Sequence, residues 1–447
     1  MTSLILSTIF IIAYNQNSMS QIAARLCIFF YCLSPATGLA AGNVPRPQPR
    51  PSLTPAKSST RFLLPNTGTS MVLQKEITAL LQEYNAIHPN SQVQLIRRGD
   101  PFSSLRDLIA MYLAGDVPEI AVIECGETPA AEATGLLKPF PRLPRHSMPA
   151  AWSAFPHSQP QMALPFERTL PVLVADQEVL FRLKLEANRL PKTWNEFTAV
   201  AQKLSSLLKN ENQERPAAEQ YALALPLQGT RGLWLFEALA GKPLWKREPG
   251  GLKSERKLSE PISVLQRLLD TPGLARPEES WERAVQAFLD RKAPLLVTAL
   301  DALPQITSQA TFRWIAAPMP RISERDSPQW ATLQGGTNLV ITRNSPEVKS
   351  FLEFFYSPGV AARWVAAGGY FPLNSSQKSI ILKNSNPPHY ARIISAIQPD
   401  AHRTSDVEVV RARSAWIQGL QLLFGDASKR LASEDVFIQL DRLLGTQ

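Results

Sequence analysis

The stretch AVIECGET, residues 121–128, carries an apolar run to a stop on a carboxylate, Glu124, with Cys125 and Gly126 directly behind it. Acid–base catalysis needs a second positioned acid or base, nucleophilic catalysis needs a thiol or hydroxyl beside its base, and metal chemistry needs ligands at set spacings. None of these accompanies Glu124. No histidine pairs with Cys125 in a recognisable arrangement, so Cys125 reads as a small buried residue. The five histidines, His88, His146, His157, His389 and His402, show no metal-ligand spacing. The chain is therefore expected to lack enzymatic activity and to need no cofactor or metal. Glu124 keeps two readings, a polar strand end in contact with water or an acid turned into a binding crevice.

The elements that must position it alternate. LQKEITALLQEYNAIHP places Ile77, Leu80, Leu81, Tyr84 and Ile87 at helical spacing and ends at Pro89. SQVQLIRR reads as a strand, SSLRDLIAMYLAGD as a helix and PEIAVIE as a strand. That rhythm predicts an α/β fold with a mostly parallel sheet, in which ligands sit at the crevice beyond the carboxyl ends of the strands. Glu124 stands at such an end. PVLVAD opens into a helix, and PKTWNEFTAVAQKLSSLL is a helix with Thr193 as N-cap and Glu196 completing a capping box. SWERAVQAFLDRKAPLLVTAL reads as helix then buried strand. GTNLVITRNSPEVKSFLEFFYS reads as strand, turn and a helix capped by Ser345 with Pro346 in its first turn. From Val407 onward the chain is helical, with Trp416, Leu420 and Leu423 along one face.

With 447 residues the chain exceeds what one core usually organises, so two lobes with a cleft between them are expected. A net charge of +9 favours anionic partners only in a general way. The basic residues are dispersed, with no Lys/Arg run and no aromatic–basic stripe, so nucleic acid is not indicated. The first residues read as a targeting segment. Arg25 precedes an apolar run, Leu26 to Leu33, and SPATGLAAGN supplies small residues for cleavage near Ala40 or Ala41. Met19 is a second candidate start. Cys27 and Cys32 fall inside this signal, which leaves Cys125 alone in the mature chain and rules out an intrachain disulfide. VPRPQPRPSLTPAKSST then forms an extended Pro-rich leader. Residues 1–41 are thus assigned to an export signal and 42–60 to a leader. Residues 61–167 and 303–362 go to one lobe, 168–302 and 363–447 to the other.

Several segments resemble the extracellular solute-binding proteins of ABC importers. They are NAIHPNSQVQLIRRGD, LIAMYLAGDVPEIAVIE, ALPFERTLPVLVADQEVL, PKTWNEFTAVAQKL, FLDRKAPLLVTAL and, most specifically, GGTNLVITRNSPEVKSFLEFFYSPGVAARWVAAGGYFPLN. They run in consistent order over roughly residues 70 to 445. The resemblance implies a two-lobed periplasmic-binding-protein fold with a hinge and an interlobe ligand cleft. It also implies a small polar ligand and ABC permease subunits as partners. Within the family the chain looks most like binders of glycerol 3-phosphate and glycerophosphodiesters. Glu124–Cys125–Gly126 is similar to their Glu–x–Gly strand end, Gly335–Gly336 to their glycine pair, and Gly369–Tyr370–Phe371–Pro372 to their G-Y-x-P turn.

By that resemblance Glu124, the Gly335–Gly336 backbone and Tyr370 face the ligand, and an arginine after SNPPHY, here Arg403, clamps a phosphate. A carboxylate in a cleft accepts hydrogen bonds from ligand hydroxyls. The departures fall in or near the expected pocket. Val174 and Ala175 replace two tyrosines, Arg168, Thr169 and Leu170 replace Ser-Ser-Thr, Phe102 replaces a tyrosine, and the aromatic of GTRGLW moves to Trp234. Arg168 is either a surface arginine in an ion pair or a second positive fork suited to phosphate. Trp234 reads as core or as a stacking surface, and Trp194 and Trp364 read as core. A neutral sugar or oligosaccharide is the alternative ligand. A secreted hydrolase and a receptor feeding a sensor kinase are further alternatives.

Overall fold

The computed structural model describes residues 58–66, 71–144, 161–185, 190–211, 221–240, 243–320, 335–384, 388–396 and 409–445. The expected export signal, most of the leader and Arg403 lie outside the described residues. Strand β1 (Ser58–Pro65) begins three residues inside the stretch assigned to the leader, because Ser58, Ser59 and Thr60 pair in register with Ser91, Gln92 and Val93. No helix among the described residues is long and apolar enough to cross a membrane.

Two five-stranded sheets organise the chain. In the first the order is β2-β1-β3-β12-β4, built from β1, β2 (Ser91–Arg98), β3 (Ile120–Glu124), β4 (Leu164–Thr169) and β12 (Gly335–Ile341). β2, β1 and β3 run parallel, while β12 is antiparallel to both β3 and β4. In the second the order is β11-β5-β10-β6-β9, built from β5 (Pro171–Asp176), β6 (Leu223–Leu225), β9 (Ala275–Pro277), β10 (Leu295–Ala299) and β11 (Trp314–Pro318). Here β5 is antiparallel to its neighbours β10 and β11, and β6 is parallel to β9 and β10. Each sheet is therefore mixed rather than mostly parallel. β7 (Trp245–Glu248) and β8 (Gly251–Ser254) form a separate ribbon.

Burial explains the strand sequences. All five residues of β3, all six of β4 and all six of β5 are buried, so these strands read as near-continuous apolar runs covered on both faces. Around the first sheet Phe166 packs on Phe62, Phe355 and Trp364 with ring centroids 6.0, 5.1 and 5.1 Å away. Between the helices Gly229–Ala240 and Val409–Phe424, Phe236 meets Trp416 at 6.2 Å and Phe424 at 5.5 Å. Each such ring buries roughly 150–250 Å², so these clusters fix how the elements they join pack together. Trp364 and Trp194 are core residues, as expected. The helix Trp194–Glu211 begins as its sequence predicts, with Thr193 Oγ1 accepting from Glu196 N at 3.3 Å; the returning Glu196 carboxylate takes the Lys192 N–H at 2.8 Å, one residue earlier than a capping box places it. Ser345 caps Pro346–Phe355 through Val348 N.

Among the described residues, three places mark where the chain passes between the sheets. β4 becomes β5 across a single buried residue, Leu170. The second passage follows β11, since β11 pairs with β5 in the second sheet. Residues 303–318, assigned to the first lobe from sequence, therefore belong with the second. The antiparallel pairing with β5 keeps that segment there, a long-range contact that local patterning does not report. The third passage follows the helix Pro358–Gly368, which packs on Met71–Ile87 in the first lobe; residues 363–368 stay with that lobe as well. It ends at Gly369 (φ +65°), a left-handed C-cap, and Phe371 N then donates to Arg168 O at 2.6 Å.

At the second passage Gly336 takes φ +123°, and a Cβ there would lie 2.2 Å from Glu167 O. Only glycine combines that backbone with that approach. Gly336→Ala is expected to cost about 2 kcal/mol or more, from a strained φ and a displaced strand pairing, read as a lower midpoint in urea unfolding. An unchanged midpoint contradicts this reading of the crossing.

Candidate functional site

Strand register assembles the site. Glu124, the last residue of β3, pairs with Thr337 on β12, and Thr337 pairs with Glu167 on β4. Directly paired residues project to one face, so Glu124, Thr337 and Glu167 form a row at one end of the first sheet. Thr337 Oγ1 donates to Glu167 Oε2 at 2.9 Å, and the Tyr370 hydroxyl donates to Glu167 Oε1 at 2.9 Å. All four side chains are buried. Tyr370 is held in turn by the Tyr390 hydroxyl, which donates to its carbonyl.

Burial, opposed by the Tyr370 and Thr337 hydrogen bonds, pushes the Glu167 carboxyl up to about 7. Burial also raises the Tyr370 hydroxyl, reinforced by the neighbouring Glu167 charge. Glu167 thus sits where it exchanges a proton near neutrality, with both carboxyl oxygens already engaged.

Glu124 is not a lone acid. Its Oε2 accepts from Gly126 N at 2.8 Å and forms a buried ion pair with Arg413 Nη1; Cys125 Sγ lies 3.4 Å from Oε1. Arg413 belongs to the helix Val409–Phe424, which packs on the helices Gly229–Ala240 and Ser259–Asp270 of the second lobe, so the pair spans the lobes. Gly126 makes room for it, since a Cβ at that position would lie 2.1 Å from Arg413 Nη2.

The second lobe adds a further cluster. Thr169 Oγ1 donates to Asp301 Oδ1 at 2.9 Å, Asp301 pairs with Arg231, and the Arg231 guanidinium lies 4.2 Å from the Trp281 ring centroid. Trp234, 6.4 Å from Trp281, presses on Gly335, where a Cβ would lie 2.6 Å from its ring.

Of the residues expected from sequence, the structure gathers Glu124, Thr169, Gly335, Gly336, Tyr370 and Trp234 at this junction. Phe102 sits half-buried in the turn before the helix Ser104–Leu113, with its N–H on Asp100 Oδ1 at 2.8 Å. Arg168 corrects the expectation of either a surface arginine or a cleft-facing fork. Strand alternation turns it away from the Glu124–Thr337–Glu167 row. Its guanidinium is buried on Glu167 O at 2.7 Å, Thr337 O at 2.6 Å and Asn338 Oδ1, where it secures the β4–β12 register at its shift between Thr337 and Asn338. Desolvation lowers its pKa. Arg403 lies outside the described residues. Glu167, Thr337, Asp301, Arg231 and Arg413 were not anticipated. Arg413 carried one signal, a charge at positions i, i+3 and i+7 with Trp416 and Leu420 on an otherwise apolar stripe.

The raised Glu167 carboxyl has a defined sign. Between an ordinary value of 4.5 and about 7 the folded state holds a proton that the unfolded state has lost, so stability falls as pH rises through that window and levels off above it. The full loss is on the order of 3 kcal/mol. Urea unfolding of wild type and Glu167→Gln at about pH 5 and about pH 8 tests this. The wild type is expected to lose about 2–3 kcal/mol relative to the variant between the two conditions; a pH-independent difference contradicts it.

A family model described as bacterial extracellular solute-binding protein matches residues 79–385. Two relatives are sn-glycerol-3-phosphate-binding periplasmic proteins. That of Yersinia pestis is 23% identical over 330 residues, covering 68% of this chain and 72% of the relative. That of Escherichia coli is 24% identical over the same length and coverage. Among solved structures, UgpB from Mycobacterium tuberculosis in complex with glycerophosphocholine superposes with a TM-score of 0.67 at 18% identity, covering 86% of this chain and 97% of that one. The cyclic alpha-maltosyl-1,6-maltose binding protein from Arthrobacter globiformis gives 0.65 at 15%, covering 87% and 98%. These neighbours share the two-domain periplasmic-binding-protein fold expected from sequence. The family and the relatives are binding proteins, for which partnership with an ABC permease is typical. The chain belongs to the bacterial extracellular solute-binding protein family.

Proposed function

We propose that this chain is the periplasmic substrate-binding component of an ABC importer for a glycerol phosphate ester. Its ligand is sn-glycerol 3-phosphate or a glycerophosphodiester, bound between the lobes and passed unaltered to a membrane permease. The observation that carries the reading is that Glu124, the Gly335–Gly336 pair and Tyr370 converge where the chain crosses between its sheets. Two cations of the second lobe, Arg413 and Arg231, stand close by. The acidic row supplies acceptors for glycerol hydroxyls, and charge-assisted donors from the facing lobe supply partners for anionic oxygens. A ligand touching both lobes binds their closed arrangement better than the open one and so shifts the population toward closure, the form a permease can recognise. Export through a signal cleaved near Ala40 or Ala41 delivers the protein to its ligand.

A second reading, a neutral sugar or oligosaccharide, is favoured by one observation. Arg413 and Arg231 each already face a carboxylate, Glu124 and Asp301, while Arg168 is committed to backbone carbonyls. A site so balanced tolerates an uncharged polyol, and Trp234 and Trp281 offer ring faces to a sugar.

Calorimetric titration of the protein lacking residues 1–41 separates the two. The expected outcome is binding of sn-glycerol 3-phosphate and glycerophosphocholine, with neither inorganic phosphate nor maltose giving heat. Glu124→Ala should then weaken binding at least tenfold, about 1.4 kcal/mol. Binding of saccharides alone selects the second reading, and turnover of any of these compounds returns the chain to the hydrolases.

A further inference from the structure

Glu167 differs from the other acids of the junction in what its carboxyl is bonded to. Glu124 pairs with Arg413 and Asp301 with Arg231, so each of those charges is matched by a guanidinium. Glu167 is 4% exposed, and among the described residues its carboxyl meets no cation in a hydrogen bond or ion pair. Its Oε1 takes the Tyr370 hydroxyl and its Oε2 the Thr337 hydroxyl, each at 2.9 Å. The charged groups around it act from farther off. Asp301 and Arg231 of the second lobe act on it with opposite signs. Arg168 feels its charge from the other face of the sheet, and Arg97 of β2 feels it as well.

Two hydroxyl partners on a carboxyl group respond to its proton. An ionised carboxylate only accepts, so it holds the hydrogens of both hydroxyls and leaves them nothing but lone pairs to offer. A protonated carboxyl is itself a donor. With both oxygens facing hydroxyls, it donates to one of them, and that hydroxyl's own hydrogen is released. Thr337 is the direct cross-strand partner of Glu124, and Tyr370 meets the same carboxyl from the third passage, so the released hydrogen emerges at the Glu124 edge. Protonation of Glu167 therefore removes an unmatched negative charge from the junction and adds a donor to it. An anion gains from both changes, because it only accepts. A neutral polyol both donates and accepts, and depends on neither. Burial raises this carboxyl to about 7, which brings the change within reach of neutral solution.

Resting on the reading of this junction as a glycerol phosphate ester site, we infer that Glu167 is a positioning residue that selects an anionic ligand through its own proton, being protonated while the anion is held and so turning the Thr337 or Tyr370 hydroxyl from acceptor into donor. The balance is simple. On the alkaline side of neutrality the free protein carries Glu167 as carboxylate and takes one proton from solvent as the ligand enters; on the acid side the proton is already in place. Affinity for an anion is thus full below pH 7 and falls as pH rises through it.

Glycerophosphocholine is the probe, because neither its phosphodiester nor its quaternary ammonium titrates near neutrality, so any proton exchanged belongs to the protein. Calorimetric titration of the protein lacking residues 1–41, in two buffers of unlike ionisation heat, counts the protons taken up. The wild type is expected to take up most of one proton at about pH 8, and to lose at least roughly tenfold in affinity between about pH 6 and about pH 8.5. In Glu167→Gln, whose amide donates at every pH, both the uptake and the pH dependence are expected to vanish. Thr337→Val deletes a hydroxyl that favours the ionised form, and is expected to move the midpoint of the affinity profile to higher pH; it carries the test if the glutamine variant does not fold. A flat wild-type profile without uptake, a Glu167→Gln protein that keeps the uptake, or an unmoved midpoint in Thr337→Val overturns the role of Glu167 and leaves the proposed ligand standing. A wild-type protein that binds saccharides and no glycerol phosphate ester removes the ligand assignment, and this inference with it.

Discussion

The carboxyl of Glu167 ties together the three stretches of chain that run between the lobes. It sits on β4 three residues before Leu170, accepts the hydroxyl of Thr337 at the start of β12, and accepts the hydroxyl of Tyr370 in the third passage. Burial raises the pKa of this carboxyl to about 7, and its two hydroxyl partners fix it in place as an acceptor. Arg168, the next residue, bonds two carbonyls of the same junction from the opposite face, so the crossing is clamped from both sides of the sheet. Movement of one lobe against the other then has to occur around this knot rather than through it.

From that fixed point the edge proposed for binding follows by register. Glu124 stands in line with Thr337 and Glu167, and what faces it comes from the second lobe, Arg413 on Glu124, Arg231 on Asp301 and Trp234 on Gly335. Glycines at 126 and 335 keep the first-lobe surface low enough for Arg413 and Trp234 to approach, while Gly336 admits the backbone of Glu167 on the neighbouring strand. Paired charges, aromatic faces and a row of acceptors at a hinge suit recognition of a small polar ligand across two bodies.

Much of this was legible in the chain itself. The β3 strand and its terminal Glu124 stand out because an apolar run, Ile120–Ile123, ends abruptly on an acid, and the glycine pair and the Gly369–Tyr370 turn stand out by composition. Glu167 did not, since a single acid inside LPFERT gives no local sign that two hydroxyls from residues 170 and 203 positions away will meet it. Arg413 lies 289 residues from Glu124, and its only trace is a charge on an apolar helical stripe. Arg168 misled because an arginine beside an expected pocket reads as functional, whereas strand alternation turned it inward. The lobe of strand β11 is hidden in the sequence for a related reason, as its sheet is chosen by pairing with β5 and not by its own five residues.

Hydrogen exchange with and without sn-glycerol 3-phosphate tests the central claim, that ligand is held between the lobes at the Glu124 edge, most directly. Ligand is expected to slow exchange together in Glu124–Thr128, in Gly335–Asn338 and in the helix Val409–Phe424, segments of different lobes that meet at this junction. Protection confined to one lobe, or found away from all three segments, would contradict it.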